Sequence, residues 1–258
     1  MKLSILELKE FLDEKVIQYN NSKFIESDPI SIPHRFSKKQ DIEIAGFLSA
    51  TIAWGNRKSI INNANKLMNW MDNDPHNFVV NATDKELAVF EKFVHRTFNG
   101  DDCQFFIYAL QQIYKKNKSL EDVFAPQAVS QKTDTSSFIS NFRNTFFSYP
   151  HLQRTEKHIS NPLKNSSAKR LNMMLRWFCR HDKNGVDFGI WSKIKPSQLV
   201  CPLDVHTGNV GRKLGLLQRK QNDWKAAIEL TNNLKLVDPN DPVKYDFALF
   251  GLGVFEKF

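Results

Sequence analysis

The chain has 258 residues with a formal net charge of +8, and 41% of its residues are apolar. That composition excludes a disordered chain and is enough for one large globular domain with a buried core. No run of about 18 apolar residues occurs, so no membrane span is expected, and the basic balance points to a polyanion partner.

The N-terminal MKLSILELKEFLDEKV mixes apolar and charged residues at helical spacing, without the continuous apolar stretch and small-residue cleavage site of a signal peptide. It is expected to be the first helix of a cytoplasmic protein, over about 3–20. Residues 27–36, SDPISIPHRF, carry two prolines and no helical period, and predict an extended linker. Asp41 is expected to cap the next helix, which is apolar nearly all round and therefore central to a core, and Gly55 to stop it. Asn56 should cap an antiparallel partner whose Ile60, Ala64, Leu67 and Met68 share a face.

A helical restart follows Pro75, and Thr83 should cap a helix over 85–98. Asp101 or Asp102 should cap the one over 103–117. Residues 119–135, rich in Ser, Thr and Gln around Pro126, form the expected lobe boundary within a single domain spanning 1–258. A short helix over 136–147 precedes a polar, basic stretch at 151–168, which reads either as a solvated loop or as a phosphate-contacting one. Helices are expected at 168–182, after Asp204, after Asp223 and after the Asp241–Pro242 pair. No strand alternation or internal repeat occurs, so the expected fold is all-α, with about ten helices in two lobes around a cleft.

Cys103, Cys179 and Cys201 are odd in number, far apart and without a CxxC pair, so no disulfide framework, metal site or iron–sulfur cluster is expected, and no other cofactor. In the helix AKRLNMMLRWFCRHD, Leu171, Met174, Leu175 and Phe178 form the inward face, with Lys169, Arg170, Arg176 and Arg180 over the remainder. Lys169 sits in a first turn, where the helix dipole disfavours a cation. It is either a solvated lysine or an amine whose proton affinity is lowered, as a nucleophile needs. Asp204 is either a plain N-cap or a carboxylate set to face a developing positive charge. Trp54, Trp177, Phe178 and Trp191 are candidate flat faces for a flipped base, with core packing the competing reading.

The segment PLDVHTGNVGRKLGL (202–216) resembles the part of the helix-hairpin-helix DNA glycosylases in which a catalytic aspartate precedes an Arg-bearing helix. YDFALFGLG (245–253) is similar to the helix that closes that fold, and residues 42–68 to its early helical pair. In KRLNMMLRW, VDFGIW and PLDVHT the chain resembles more closely a bacterial domain-of-unknown-function family whose nearest characterised relatives are the archaeal 8-oxoguanine glycosylases. The resemblance spans about 40–255. It implies a catalytic Asp204 and, 35 residues before it, a catalytic Lys169, with Lys164 as a competitor. It implies excision of a damaged base from double-stranded DNA, with lyase activity through a lysine Schiff base, by a monomer. Arg154, Lys157, Lys164, Arg170, His206 and Arg212 are the expected nucleic-acid contacts. Two features depart from the family. NPLKNSSAK stands where a glycine hairpin would grip phosphate, and the four-cysteine tail is missing. A non-catalytic nucleic-acid-binding module of the same fold, or an all-helical interaction protein, are the alternatives.

Overall fold

The computed structural model describes residues 4–126, 130 and 133–258. Among these, every regular element is a helix or a short 3₁₀ turn, and no helix is long and apolar enough to cross a membrane. The expected boundary at 119–135 falls partly outside the described residues.

Helix α1 (Ile5–Tyr19) starts at Ser4, which exchanges hydrogen bonds with Glu7 in a capping box. After α2 (Ser22–Glu26), the stretch expected to be extended forms two proline-started 3₁₀ turns that bury Ile30 and Ile32. Helix α3 (Lys39–Thr51) is buried from Asp41 to its end. Asp41 does not cap it: the helix starts two residues earlier, and the Asp41 carboxylate accepts from the His76 amide of α5 at 2.8 Å. Asn56 does cap α4 (Arg57–Trp70). Helix α5 is Pro75–Asn81.

Thr83 caps α6, but α6 is only Asp84–Leu87 and passes into a 3₁₀ turn over Ala88–Lys92. The reason is packing. Phe90 and Phe93 are both fully buried, and residues three apart point the same way in a 3₁₀ turn. Helix α7 (Gly100–Tyr114) is capped by Asn99, with Asp102 as the third-residue partner. Then come α8 (Glu121–Phe124), α9 (Thr135–Phe146), α10 (Lys169–Cys179), α11 (Val205–Lys213), α12 (Trp224–Val237) and α13 (Tyr245–Val254). The thirteen described helices exceed the expected ten because short ones interrupt what reads as loop.

The chain divides into two compact units. The first comprises Met1–Phe24, Val129–Ser137 and Asn161–Phe258. In it, α13 packs along α1 and α11. Gly251 makes the first of these contacts possible, since a Cβ there would meet the Tyr19 ring at 2.1 Å. The second unit comprises Ile25–Ala128 and Phe138–Ser160. Its core joins α3, α7 and α9 through Phe47, whose ring lies 5.7 Å from Phe106, 5.3 Å from Phe142 and 5.6 Å from Phe146. Beside it, the buried carboxylate of Glu43 accepts from the Tyr114 hydroxyl at 2.9 Å and the Leu120 amide at 3.1 Å, tying α3 to the end of α7.

Leu48 is 1% exposed in the middle of α3. Leu48→Asp should therefore cost about 4 kcal/mol or more, because it buries a charge with no partner. Chemical denaturation would read this as a large fall in midpoint, and a near-normal midpoint would mean that α3 is not central to its unit.

Candidate functional site

In the first unit the turn before α10 is built without glycine. Asn161 accepts from the Leu163 amide, a 3₁₀ turn covers Pro162–Lys164, and Asn165 takes a left-handed conformation at φ 62°. Ala168 is also left-handed, at φ 48°, an arrangement that costs about 1 kcal/mol or more for a residue with a Cβ. It is the last residue before Lys169, which opens α10.

The second turn, 201–204, is held from beneath. The Cys201 amide donates to Thr231 Oγ1 at 3.0 Å, while Cys201, Pro202 and Leu203 are buried. Asp204 then caps α11, its Oδ1 accepting from the Thr207 amide at 3.0 Å. Its other oxygen faces Lys169, with Nζ 3.7 Å from Oδ2. The two side chains are 28% and 25% exposed, so the pair is shielded yet open to solvent. At 3.7 Å this is an ion-pair contact rather than a tight hydrogen bond.

A second carboxyl lies behind the pair. Asp246, from the first turn of α13, is buried; burial pushes it up to about 6, against the pull of Arg176 and Lys169, and Asp204 adds to the rise. It is the polar exception in an otherwise apolar helix. That is the one signal in YDFALFGLG that marks it, and the sequence reading passed over it.

Arg176 and Arg180 were expected on the outer side of α10, but they are 3% and 4% exposed. Arg176 donates from Nε to Asp187 at 3.2 Å and from Nη1 to Asp246, and its guanidinium lies 4.1 Å from the Phe247 ring centroid. Arg180 donates to Asp241 at 2.8 Å, Asp182 at 2.6 Å and Asp187 at 3.1 Å. Asp241 thus pairs with Arg180 and makes no side-chain cap bond. Lys169, Arg176 and Arg180 stand at spacings of seven and four residues, so they follow one stripe of α10.

The remaining expected contacts divide. Lys164 and His206 are exposed, and Arg170 is half-buried, with burial pushing its guanidinium down to about 10 and leaving it charged at neutral pH. Arg212 is occupied in building the protein: it donates to the carbonyls of Arg219 at 2.9 Å and Lys220 at 2.8 Å, and to Asn222 Oδ1 at 2.6 Å. Asn222 in turn donates to the Asp204 carbonyl at 3.0 Å. In the second unit, Lys157 is exposed, while Arg154 donates to Asp102 at 2.9 Å, Asn99 at 2.8 Å and the Thr97 carbonyl at 3.0 Å. Of the aromatic candidates, Trp177, Phe178 and Trp191 are core residues, and Trp54 is half-exposed, with its ring stacked 6.1 Å from His158. Among the described residues no group of His, Cys, Asp and Glu could hold a metal ion.

Removing one partner of a buried ion network leaves the others uncompensated, at about 3–5 kcal/mol. Arg176→Met should lose stability on that scale in chemical denaturation. Arg176→Lys should recover little of it, because an ammonium lacks the fork that reaches both Asp187 and Asp246.

No curated protein and no solved structure matches the chain. The family described as "Protein of unknown function (DUF2400)" matches residues 28–255, a span that holds α3 to α13, the Lys169–Asp204 pair and the charged stripe behind it. The chain belongs to that family.

Proposed function

We propose that this protein is a DNA glycosylase of base-excision repair that uses Lys169 as nucleophile and forms a Schiff base. The observation that carries the reading is the Lys169–Asp204 pair: an amine and a carboxylate at two helix N-termini, 3.7 Å apart and both reachable from solvent. The resemblance of 202–216 to the aspartate segment of helix-hairpin-helix glycosylases supports it, and so does the basic balance of the chain. Oxidised purines are the substrate class that the likeness to archaeal 8-oxoguanine glycosylases favours.

The chemistry needs a damaged nucleotide turned out of the duplex. The glycosidic bond breaks and the base departs with the bonding pair, taking a proton from solvent. As positive charge develops on the sugar, Asp204 Oδ2 stabilises it. Lys169 gives up its ammonium proton to solvent, its neutral Nζ bonds to the anomeric carbon, and the second proton it then sheds goes to Asp204. The sugar ring opens to an imine, and loss of a proton from the adjacent carbon expels the 3′ phosphate, which cleaves the strand.

Borohydride reduction traps such an imine. Wild type on duplexes with a single lesion should give a trapped complex, and Lys169→Gln should give none while binding duplex at near wild-type affinity. A trapped complex with Lys169→Gln would pass the role to Lys164. Asp204→Asn keeps the cap, since Asn caps as well as Asp. It should stay folded and turn over roughly 10²–10³ more slowly, the scale of losing one preorganised electrostatic group. Full turnover would reduce Asp204 to a cap. Salt-sensitive binding with no trapping on any lesion would favour the non-catalytic module.

A further inference from the structure

A second loop is stapled to the turn that precedes α10. The Trp224 amide donates to the Asn165 carbonyl at 3.2 Å, and Ser166 and Asp223 form an antiparallel bridge. Asn165 Nδ2 donates to Asp223 Oδ2 at 2.9 Å. Asp223 also caps α12 and accepts from Arg219 Nε at 2.7 Å, and these contacts hold its carboxyl well below the ordinary range, Arg219 most of all. Arg212 clamps the loop from the other side through two carbonyls and Asn222, and Asn222 reaches the Asp204 carbonyl. Gly208 leaves room for this clamp: a Cβ there would lie 2.7 Å from Asn222 Oδ1. Segment 218–225, which runs from the loop into the first turn of α12, is thereby tied both to the turn that presents Lys169 and to the residue that faces it.

The outer side of this loop forms an open pocket of ≈ 640 Å³ lined by Gln218, Arg219, Lys220, Gln221, Lys225 and Glu229. Lys220 and Lys225 are exposed, as is Lys164 on the adjoining turn. Of the two acids nearby, Asp223 is paired with Arg219 as above, and Glu229, which accepts from the Gln218 amide at 2.6 Å, stands in the pocket wall as one carboxylate against Lys220 and Lys225. The surplus is cationic, on a frame that need not reorganise to meet an anion. A phosphodiester oxygen suits it, because two ammoniums and the side-chain amides supply donors around one concavity.

We infer that segment 218–225, stapled to the 161–168 turn, holds the phosphodiester backbone of the strand whose sugar reaches Lys169, with Lys220 and Lys225 as the phosphate-binding side chains. This rests on the nucleic-acid reading and supplies the grip that a glycine-free turn does not. The contact is to backbone and carries no sequence preference of its own.

The test is a salt series of duplex binding by fluorescence anisotropy, with an abasic-site analogue in the duplex, for wild type, Lys220→Gln/Lys225→Gln, and a charge-matched control, Lys23→Gln/Lys235→Gln. Each lost phosphate contact should flatten the slope of log K against log salt by about 0.9. The Lys220/Lys225 variant should lose about two such contacts and bind more weakly at low salt, with unchanged melting, while the control keeps the wild-type slope. A wild-type slope in the Lys220/Lys225 variant, or equal flattening in the control, overturns the inference and leaves the proposed function standing. No duplex binding by wild type at low salt removes both. Inorganic phosphate is the second arm: it should compete only weakly, and full competition near equimolar phosphate would mean a site for free phosphate instead of a strand.

Discussion

The buried guanidiniums of Arg176 and Arg180 are the constraint on which the first unit depends. Each is taken out of water, at a cost that only matched carboxylates repay. The matching comes from separate stretches of chain: Asp182 and Asp187 from the connector after α10, Asp241 ahead of α13, and Asp246 within it. Arg176 also sits against the Phe247 ring, so one residue of α13 supplies charge and its neighbour supplies a face. Such a network tolerates little rotation of α10, because turning the helix would strand several charges together.

That rigidity gives the Lys169–Asp204 pair its significance. Lys169 continues the same stripe of α10 toward solvent, and Asp204 begins α11, which packs on α13. The stripe therefore grades from paired and buried cations to one that is paired and partly exposed. Asp204 divides its work between two oxygens: Oδ1 holds the helix start, and Oδ2 is left for Lys169. A carboxylate anchored by one oxygen can present the other without paying to order its side chain again, which is how a preorganised electrostatic group acts.

Much of this architecture was legible from residue order. Asn56, Thr83 and Asp204 cap as their positions imply, since a cap is a local hydrogen bond between a side chain and an amide two or three residues on. Lys169 was marked by its place in a first turn and Asp204 by its place before one. Asp41, Asp101 and Asp241 misled because a carboxylate near a helix start has other possible partners: Asp41 holds α5, Asp241 takes Arg180, and Asn99 outcompetes Asp101 at the cap. Arg212, expected as a DNA contact, also clamps a loop, which residue order did not show. A guanidinium offers five donors, and local order does not say which acceptors will reach them.

By itself the sequence determined the all-helical class, the caps at Asn56, Thr83 and Asp204, the apolar face of α10 and the two residues of the candidate pair, because each depends on periodicity or on neighbours within a turn. Tertiary structure decided that Arg176 and Arg180 turn inward, that Asp246 stands behind the pair, and that segment 218–225 is stapled beside it. Those outcomes depend on carboxylates and carbonyls far away in sequence, and only the packed chain brings them within hydrogen-bond reach.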